Sequence, residues 1–445
     1  LPEFLVEGVL AVMDPMLVFV SCIIGLFVLM MLGVPIAFSL GFVGIIGGLV
    51  AFGGNILSKV GWAPFSLLFN LSWTPLPLFV LIGSLIAETT MGKDLFNAAS
   101  KWLSRIPGGL IASGIIGEGV MAATLGTSAA CIMVVGKVAV PEFERYGYNR
   151  SLGLGALLAG GVLGPLIPPS ATMIIYSCLT NTSLGHLFIA GIMPGILLAA
   201  MLVSLAVGIC LVRPQLGPPA GGFSWRERFA SISRVWPVVV VILSILGSIY
   251  LGVATPTESA GVGCVVVFLL GIFLFKLRWD GIRRALIDAA TINAMILLIL
   301  IGASFFTYIV GSTNVAQHAF NFVQSSGISK WMVIIVINII YLSLGFILDP
   351  LTITFLTIPI FYPLIVKLGF DPVWFGIIFV VNTQIGLITP PMAIDLFAVR
   401  TVFDIPTGDL IRGVTPFLLW EIVFLAIIIV FPQITLWLPG LMIGK

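Results

Sequence analysis

Apolar residues along this chain come in long blocks, and the polar positions between them are few and short. Such blocks suit bilayer-crossing helices, which need about 20 mostly apolar residues each. Two series of five can be drawn, the first at 16–32, 35–53, 74–91, 149–180 and 187–212 and the second at 234–251, 256–276, 289–311, 372–401 and 415–438. Between the third and fourth crossing of each series lies an extra apolar piece, with arms of about 15 to 18 residues that are marginal for a full span. One covers 109–143 and is interrupted by Leu125-Gly126-Thr127-Ser128; the other covers 330–366 and is interrupted by Leu348-Asp349-Pro350-Leu351. Both predict re-entrant hairpins that enter and leave on one side.

The fourth crossing of each series is predicted to break in a matched place, at Gly164-Pro165-Leu166-Ile167-Pro168-Pro169 and at Gly386-Leu387-Ile388-Thr389-Pro390-Pro391. Proline removes a backbone donor and clashes with the preceding turn. Where water is absent, the carbonyls so freed must line a cavity or hold a ligand. The match extends further: at an offset of 222, Gly147 corresponds to Gly369, Gly191 to Gly413 and Pro194 to Pro416. Residues 1–213 and 234–445 therefore read as two repeats, joined by a Pro- and Gly-rich cytoplasmic linker at 214–233. Five crossings per half place the second repeat upside down relative to the first, the arrangement of many secondary transporters.

Lys and Arg collect on the cytoplasmic side of membrane proteins, so their positions test the count. With the N-terminus outside, sixteen of the twenty fall inside and only Lys59, Lys330, Lys367 and Lys445 fall outside. Both termini are then periplasmic, and the hairpins dip in from opposite sides, their tips meeting near the midplane. Two amphipathic stretches flanked by basic and Trp residues, 93–103 and 279–286, are expected to lie in the headgroup plane as arms.

Composition agrees: 60% of the 445 residues are hydrophobic and 9% charged, with a mean hydropathy of +1.22, which leaves no room for a folded soluble domain. The net charge of +2 carries no nucleic-acid signal, because the basic residues sit in short loops. Cys22, Cys131, Cys178, Cys210 and Cys264 lack the paired spacing of a disulfide framework or a zinc site. Residues 1–13 lack a charged n-region and do not read as a secretory signal; 1–12 read as a linker or remnant before Met13. His186 and His318 fall near predicted helix ends, and no hydrolase, metalloprotease or phosphate-loop motif is present, so an enzyme and any resident cofactor are not expected.

The chemistry concentrates at the tips and breaks. Hydroxyls and freed carbonyls suit a hard monovalent cation, while half-helix N-termini present amides to an anion. A sodium ion is expected at each tip-and-break pair: Gly126, Thr127 and Ser128 with Gly164 and Pro168, and Asp349 and Thr352 with Gly386, Thr389 and Pro390. The competing reading is a pair of kinks repaired by neighbouring helices and waters. Asp349 is equally suited to cap the second hairpin arm. Ser170, Asp395 and Arg400 are the expected substrate contacts, against a plain Asp395–Arg400 pair across about one turn. For Glu118, Lys137 and Glu258, interhelical pairing or snorkelling is expected.

Gly126-Thr127-Ser128-Ala129-Ala130, Tyr146-Gly147-Tyr148, Leu163-Gly164-Pro165-Leu166-Ile167-Pro168-Pro169-Ser170, Gly252-Val253-Ala254-Thr255-Pro256-Thr257-Glu258 and Asn382-Thr383-Gln384-Ile385-Gly386-Leu387-Ile388-Thr389-Pro390-Pro391 resemble the large membrane subunit of tripartite ATP-independent periplasmic (TRAP) transporters, in order and over nearly the whole chain. The resemblance implies an all-α elevator in the bacterial inner membrane, a sodium-driven importer of small organic acids. A small membrane subunit and a periplasmic substrate-binding protein would complete it. Asp395, where many relatives carry Asn, and Arg400 depart from the pattern and put the usual substrates in doubt. Rival readings are a self-sufficient sodium-coupled anion carrier of related fold and a channel.

Overall fold

In a computed structural model that describes residues 14–53, 56–390 and 393–441, these residues form helices and connecting turns, without strands. Seven helical stretches among them are long and apolar enough to cross a membrane, the first and third with internal interruptions: Arg150–Thr180, Leu184–Val212, Trp225–Tyr250, Pro256–Phe273, Trp279–Ser312, Pro350–Lys367 and Thr407–Val430. An eighth span is possible if Val60–Ser66 and Leu71–Ala87, bent by 55° at their junction, count as one. Pro15–Met31, Ile36–Phe52 and Pro372–Ile388 occupy expected crossings with 17 residues each.

Local chemistry sets the helix starts. Asp14 accepts from the Met16 amide at 2.9 Å ahead of a proline at the first helical position, where its missing N–H costs nothing. Thr255 and Glu258 form a capping box at the start of Pro256–Phe273, with Thr255 N donating to the Glu258 carboxylate at 2.8 Å. Glu258 is thus a cap, where an interhelical pair or a snorkelling side chain was expected. Lys137 is exposed.

The two halves interleave. Arg150–Gly160 packs on Thr407–Val430, and Pro372–Ile388 packs on Leu184–Val212. Ala171–Thr180 meets Pro350–Lys367, and Ile394–Phe403 meets Ser128–Arg145. Ile36–Phe52 lies against Trp279–Ser312, and Pro75–Ala87 against Pro256–Phe273. Each of these contacts has a counterpart in which first-half and second-half elements exchange places. Small residues allow the close approaches, as expected where lipid offers no hydrophobic drive to association. A Cβ at Gly413 would collide with the Ser151 carbonyl, and one at Gly44 would lie 2.6 Å from Phe305 Cβ.

Three expectations change. Trp279–Leu286 is not a separate interfacial arm but the opening of one continuous helix, Trp279–Ser312; at 1.5 Å per residue its 34 residues exceed the hydrocarbon thickness. Two short helices escaped the reading, Ile56–Leu68 and Val315–Ser325. The linker is not simply irregular: after a 3-10 turn at Pro214–Leu216 it forms the helix Trp225–Ile232, which packs on Met91–Leu103.

Candidate functional site

The first predicted hairpin consists of Gly109–Leu125 and Ser128–Arg145, which pack on each other across a two-residue turn. Gly126 sits there at φ 67°, a left-handed conformation that glycine adopts without strain. A side chain at Gly126 would also lie 2.7 Å from the Pro169 carbonyl oxygen, and one at Gly164 would lie 2.9 Å from the Thr127 carbonyl. Tip and break are therefore in backbone contact. Thr127 is exposed, and its hydroxyl does not cap the helix that follows.

The first break is a real interruption. Arg150–Gly160 gives way to a single turn, Leu163–Leu166, then an extended Ile167, and the chain resumes at Ala171–Thr180. Pro168 and Pro169 carry no N–H, so the carbonyls one turn earlier, on Gly164 and Pro165, lose their helical donors. Ser170 is fully buried and caps the resumed helix, accepting from the Met173 amide at 3.3 Å.

In the second half, Lys330–Gly345 and Pro350–Lys367 flank Asp349. The Asp349 carboxylate accepts from the Leu351 and Thr352 amides at 3.0 and 3.1 Å and from the Thr352 hydroxyl. Asp349 does cap the arm, as its alternative reading held. Pro372–Ile388 ends at an extended Thr389, whose hydroxyl turns back to the Ile385 carbonyl at 2.6 Å. Pro390 follows, Pro391 lies outside the described residues, and Ile394–Phe403 resumes. The Gly386 and Gly345 backbones touch, since a Cβ on either would lie 2.6 Å from the other's Cα.

A cavity of about 410 Å³ joins these parts. Gly126, Thr127 and Ser128 line it from the first tip, Pro165 and Pro169 from the first break, Asp349 from the second tip, and Leu387 and Asp395 from either side of the second break. Asp395 is 5% exposed and accepts a short hydrogen bond from the Ser128 hydroxyl, which ties the first tip to the second broken helix. Gly164, Pro168, Ser170, Thr352, Gly386, Thr389 and Pro390 are not among the lining residues; Ser170 caps the resumed helix, and the Thr352 and Thr389 hydroxyls are engaged with Asp349 and the Ile385 carbonyl. Arg400 is exposed, does not line the cavity and makes no ion pair with Asp395. Five residues along a helix turn the side chain about 140° away, so the expected pairing was geometrically poor.

The cavity also exposes groups that the sequence reading passed over. Pro75–Ala87 and Trp279–Ser312 close one wall, where the Ser84 hydroxyl donates to Asp288 at 2.7 Å. Gln384 lines the cavity while its carbonyl oxygen is buried without a partner. The signal for Asp288, an acid within a spanning helix, becomes visible only once that helix is drawn from Trp279. The lining thus carries three carboxylates, Asp288, Asp349 and Asp395, and no Lys or Arg among the described residues. Glu118 neither pairs nor snorkels: it is wholly buried against Gly160, with both carboxyl oxygens unpartnered. Glu421, also overlooked, shares that state on Thr407–Val430.

Comparison with known proteins decides the family. The family model of the tripartite ATP-independent periplasmic transporter DctM component matches residues 23–434. The chain belongs to that family. It is similar to the C4-dicarboxylate TRAP transporter large permease protein DctM of Pseudomonas aeruginosa, 35% identical with 82% of this chain and 85% of that one covered. It also resembles the sialic acid large permease SiaM of Vibrio cholerae, 30% identical over 96% of this chain and 99% of that one, and the ectoine large permease TeaC of Halomonas elongata, 30% identical over 95% and 99%. Among solved structures, the Alcanivorax borkumensis YdaH transporter shares the fold at a TM-score of 0.63, with 14% identity over 86% of this chain and 89% of that one. The permease is therefore a multi-pass membrane subunit of an ion-coupled secondary transporter, working with a small membrane subunit and a periplasmic substrate-binding protein, and not an enzyme.

Proposed function

We propose that the permease imports a small organic anion by sodium symport, with both hairpins and both broken helices moving as one body against the remaining helices. The reading rests on one observation: two tips and two breaks, drawn from both halves, line a single cavity that carries three carboxylates and no basic side chain among the described residues. The paired contacts that exchange first-half for second-half elements support the inverted repeat, residues 1–213 against 234–445. The charge distribution supports periplasmic termini.

Electrostatics supplies the coupling. Three carboxylates at close quarters repel an anion, and each cation bound among them removes one charge of that repulsion. Sodium at the first tip, on Gly126, Thr127, Ser128 and the Gly164 and Pro168 carbonyls, and at the second, on Asp349, Thr352, Gly386, Thr389 and Pro390, makes the cavity acceptable to an anion. Cargo then sits between the tips, near Ser170, Asp395 and, after rearrangement of the resumed helix, Arg400. C4-dicarboxylate and sialic acid, named for the relatives, are both acids, and ectoine extends the range to a zwitterion.

The test needs no substrate. A cation that binds only the folded permease raises its melting temperature by mass action, by an amount equivalent to about 2.7 kcal/mol at a hundred times the dissociation constant. Sodium chloride should therefore stabilise the purified permease more than equal potassium chloride, and Asp349→Ala and Thr127→Ala should each shrink the difference. Equal protection by both salts, or an undiminished sodium effect in both variants, refutes the assignment.

A further inference from the structure

The linker between the halves presents a second site, which shares no lining residue with the cavity. Ser224 and Glu227 form a capping box that starts Trp225–Ile232, with Ser224 N donating to the Glu227 carboxylate at 2.8 Å. That helix is fastened to Met91–Leu103 by the Trp102 indole N–H, which donates to the Arg228 carbonyl at 3.3 Å. Arg228 is 6% exposed, and its guanidinium lies 5.1 Å from the Trp225 ring and 5.9 Å from the Trp102 ring. Its Nε and one terminal nitrogen are buried without a hydrogen-bond partner, and none of the ion pairs among the described residues involves it. A cation held between aromatic faces is stabilised there, and Arg228 adds its positive charge to the junction without lining the cleft between the two helices.

Beside it, between the two helices, is a cleft of about 230 Å³ lined by Asp94, Asn97, Lys101, Ala230, Ser231 and Arg234. Arg105 and Arg226 are exposed nearby in sequence; of the acids, Glu227 is occupied in the cap, and Asp94, which lines the cleft, accepts from the Thr90 hydroxyl at 3.0 Å and is outnumbered there by Lys101 and Arg234. The neighbouring surface is apolar: Trp225, Phe229, Ile232 and Trp236 are each 46% or more exposed. Trp225, Phe229 and Ile232, spaced four and three residues apart, share one face of the helix, and Trp236 opens the helix that follows. A basic cleft with an aromatic and aliphatic stripe along its helix matches a phosphate group attached to acyl chains. Inorganic phosphate uses only the cleft.

We propose that this junction binds the headgroup of an anionic phospholipid, its phosphate held by Lys101 and Arg234 in the field of Arg228 and its chains lying along Trp225, Phe229, Ile232 and Trp236. Since Met91–Leu103 packs directly on Gly109–Leu125 of the first hairpin, a lipid here bears on the element that carries the first tip.

The experiment titrates phosphatidylglycerol into the detergent-purified permease and counts bound lipid by native mass spectrometry, with phosphatidylcholine of the same chains as control. Each basic residue near a membrane surface contributes about a fivefold gain toward anionic lipid. K101Q/R234Q should therefore weaken phosphatidylglycerol binding about 25-fold while leaving phosphatidylcholine unchanged. Both substituted side chains are at least partly solvent-exposed, and an unchanged melting temperature without lipid verifies the fold. W225A/F229A, which removes the stripe and keeps the cleft, should also weaken phosphatidylglycerol. Equal binding of the two lipids, or full retention in K101Q/R234Q, overturns the proposal. Competition by inorganic phosphate as strong as by phosphatidylglycerol, with W225A/F229A inert, assigns the cleft to a free anion and overturns it equally.

Discussion

Among the described residues the Ser128–Asp395 hydrogen bond links the first tip to the resumed half of the second broken helix, and its removal has a calculable cost. Both residues are 5% exposed, so only water in the cavity that both line is placed to replace the lost donor. A hydrogen bond to a charged group contributes about 1.5–3 kcal/mol, and a buried acceptor left unsatisfied costs at least the lower end of that range. Ser128→Ala should therefore destabilise the permease by about 1.5–3 kcal/mol. Asp395→Leu deletes the acceptor and its desolvation together, so in that background Ser128→Ala should cost well under 1 kcal/mol. The reporter is built in: Cys22, Cys131 and Cys210 are buried free thiols, and a thiol-reactive fluorophore follows their exposure on heating. The expected signature is a drop in melting temperature for Ser128→Ala that largely disappears in S128A/D395L. Additive drops, with a coupling below about 0.5 kcal/mol, would show that the two groups do not interact and would refute the reasoning.

Gly126→Ala should cost about 1–2 kcal/mol from the left-handed backbone alone, and its methyl group should also force the tip off the Pro169 carbonyl; the check is loss of the sodium-specific stabilisation beyond any change in melting temperature. Gly413→Leu places a side chain where Thr407–Val430 meets the Ser151 carbonyl, and should abolish the monodisperse peak in gel filtration, while substitution at Gly408, with open space around it, should not. Glu118→Met exchanges a buried, unpartnered carboxyl for an apolar chain of similar volume, so the melting temperature should rise; a marked fall would mean that Glu118 has a partner. Arg284 donates to Glu88 at 3.1 Å on an exposed surface, and Arg284→Ala should change stability little, as exposed ion pairs generally do.

Helix placement was legible because the bilayer imposes one requirement, apolar length, that leaves little room for ambiguity. Each of the ten expected crossings overlaps a helix among the described residues, and seven helical stretches there are long and apolar enough to span. The breaks were legible for a similar reason, since proline acts locally and its consequence for the backbone does not depend on packing. Side-chain roles were harder. In sequence Asp349 suits a cap or a binding site and Glu258 suits an interhelical pair or a snorkelling side chain, and only the amide distances show that both cap. Whether Trp279–Leu286 lies in the headgroup plane or continues a crossing depends on the backbone at Ala289 and Ala290, where no residue type marks a stop. Met91–Leu103, similar in amphipathic pattern, is ended by Ser104 and the turn before Gly108, where glycine takes φ 76°. Asp288 was hidden by the same misreading, because a crossing drawn from 289 leaves it just outside.

That misplacement bears on the mechanism. Asp288 and Ser84 come from Trp279–Ser312 and Pro75–Ala87, helices that pack on each other and belong to neither hairpin nor break. On the proposed reading they are part of the fixed body, whereas Asp349 and Asp395 travel. A carboxylate that stays behind repels a travelling site in proportion to the negative charge still uncompensated there. With both cations and a monoanion aboard, Asp349 and Asp395 included, the moving site carries one net negative charge; without cations it carries three if the anion is present. Coulomb repulsion from Asp288 then scales threefold between the loaded and the uncoupled state. The fixed acid thus penalises passage of an anion that has left its sodium behind, and Asp288→Asn should loosen coupling, raising sodium-independent uptake relative to sodium-driven uptake.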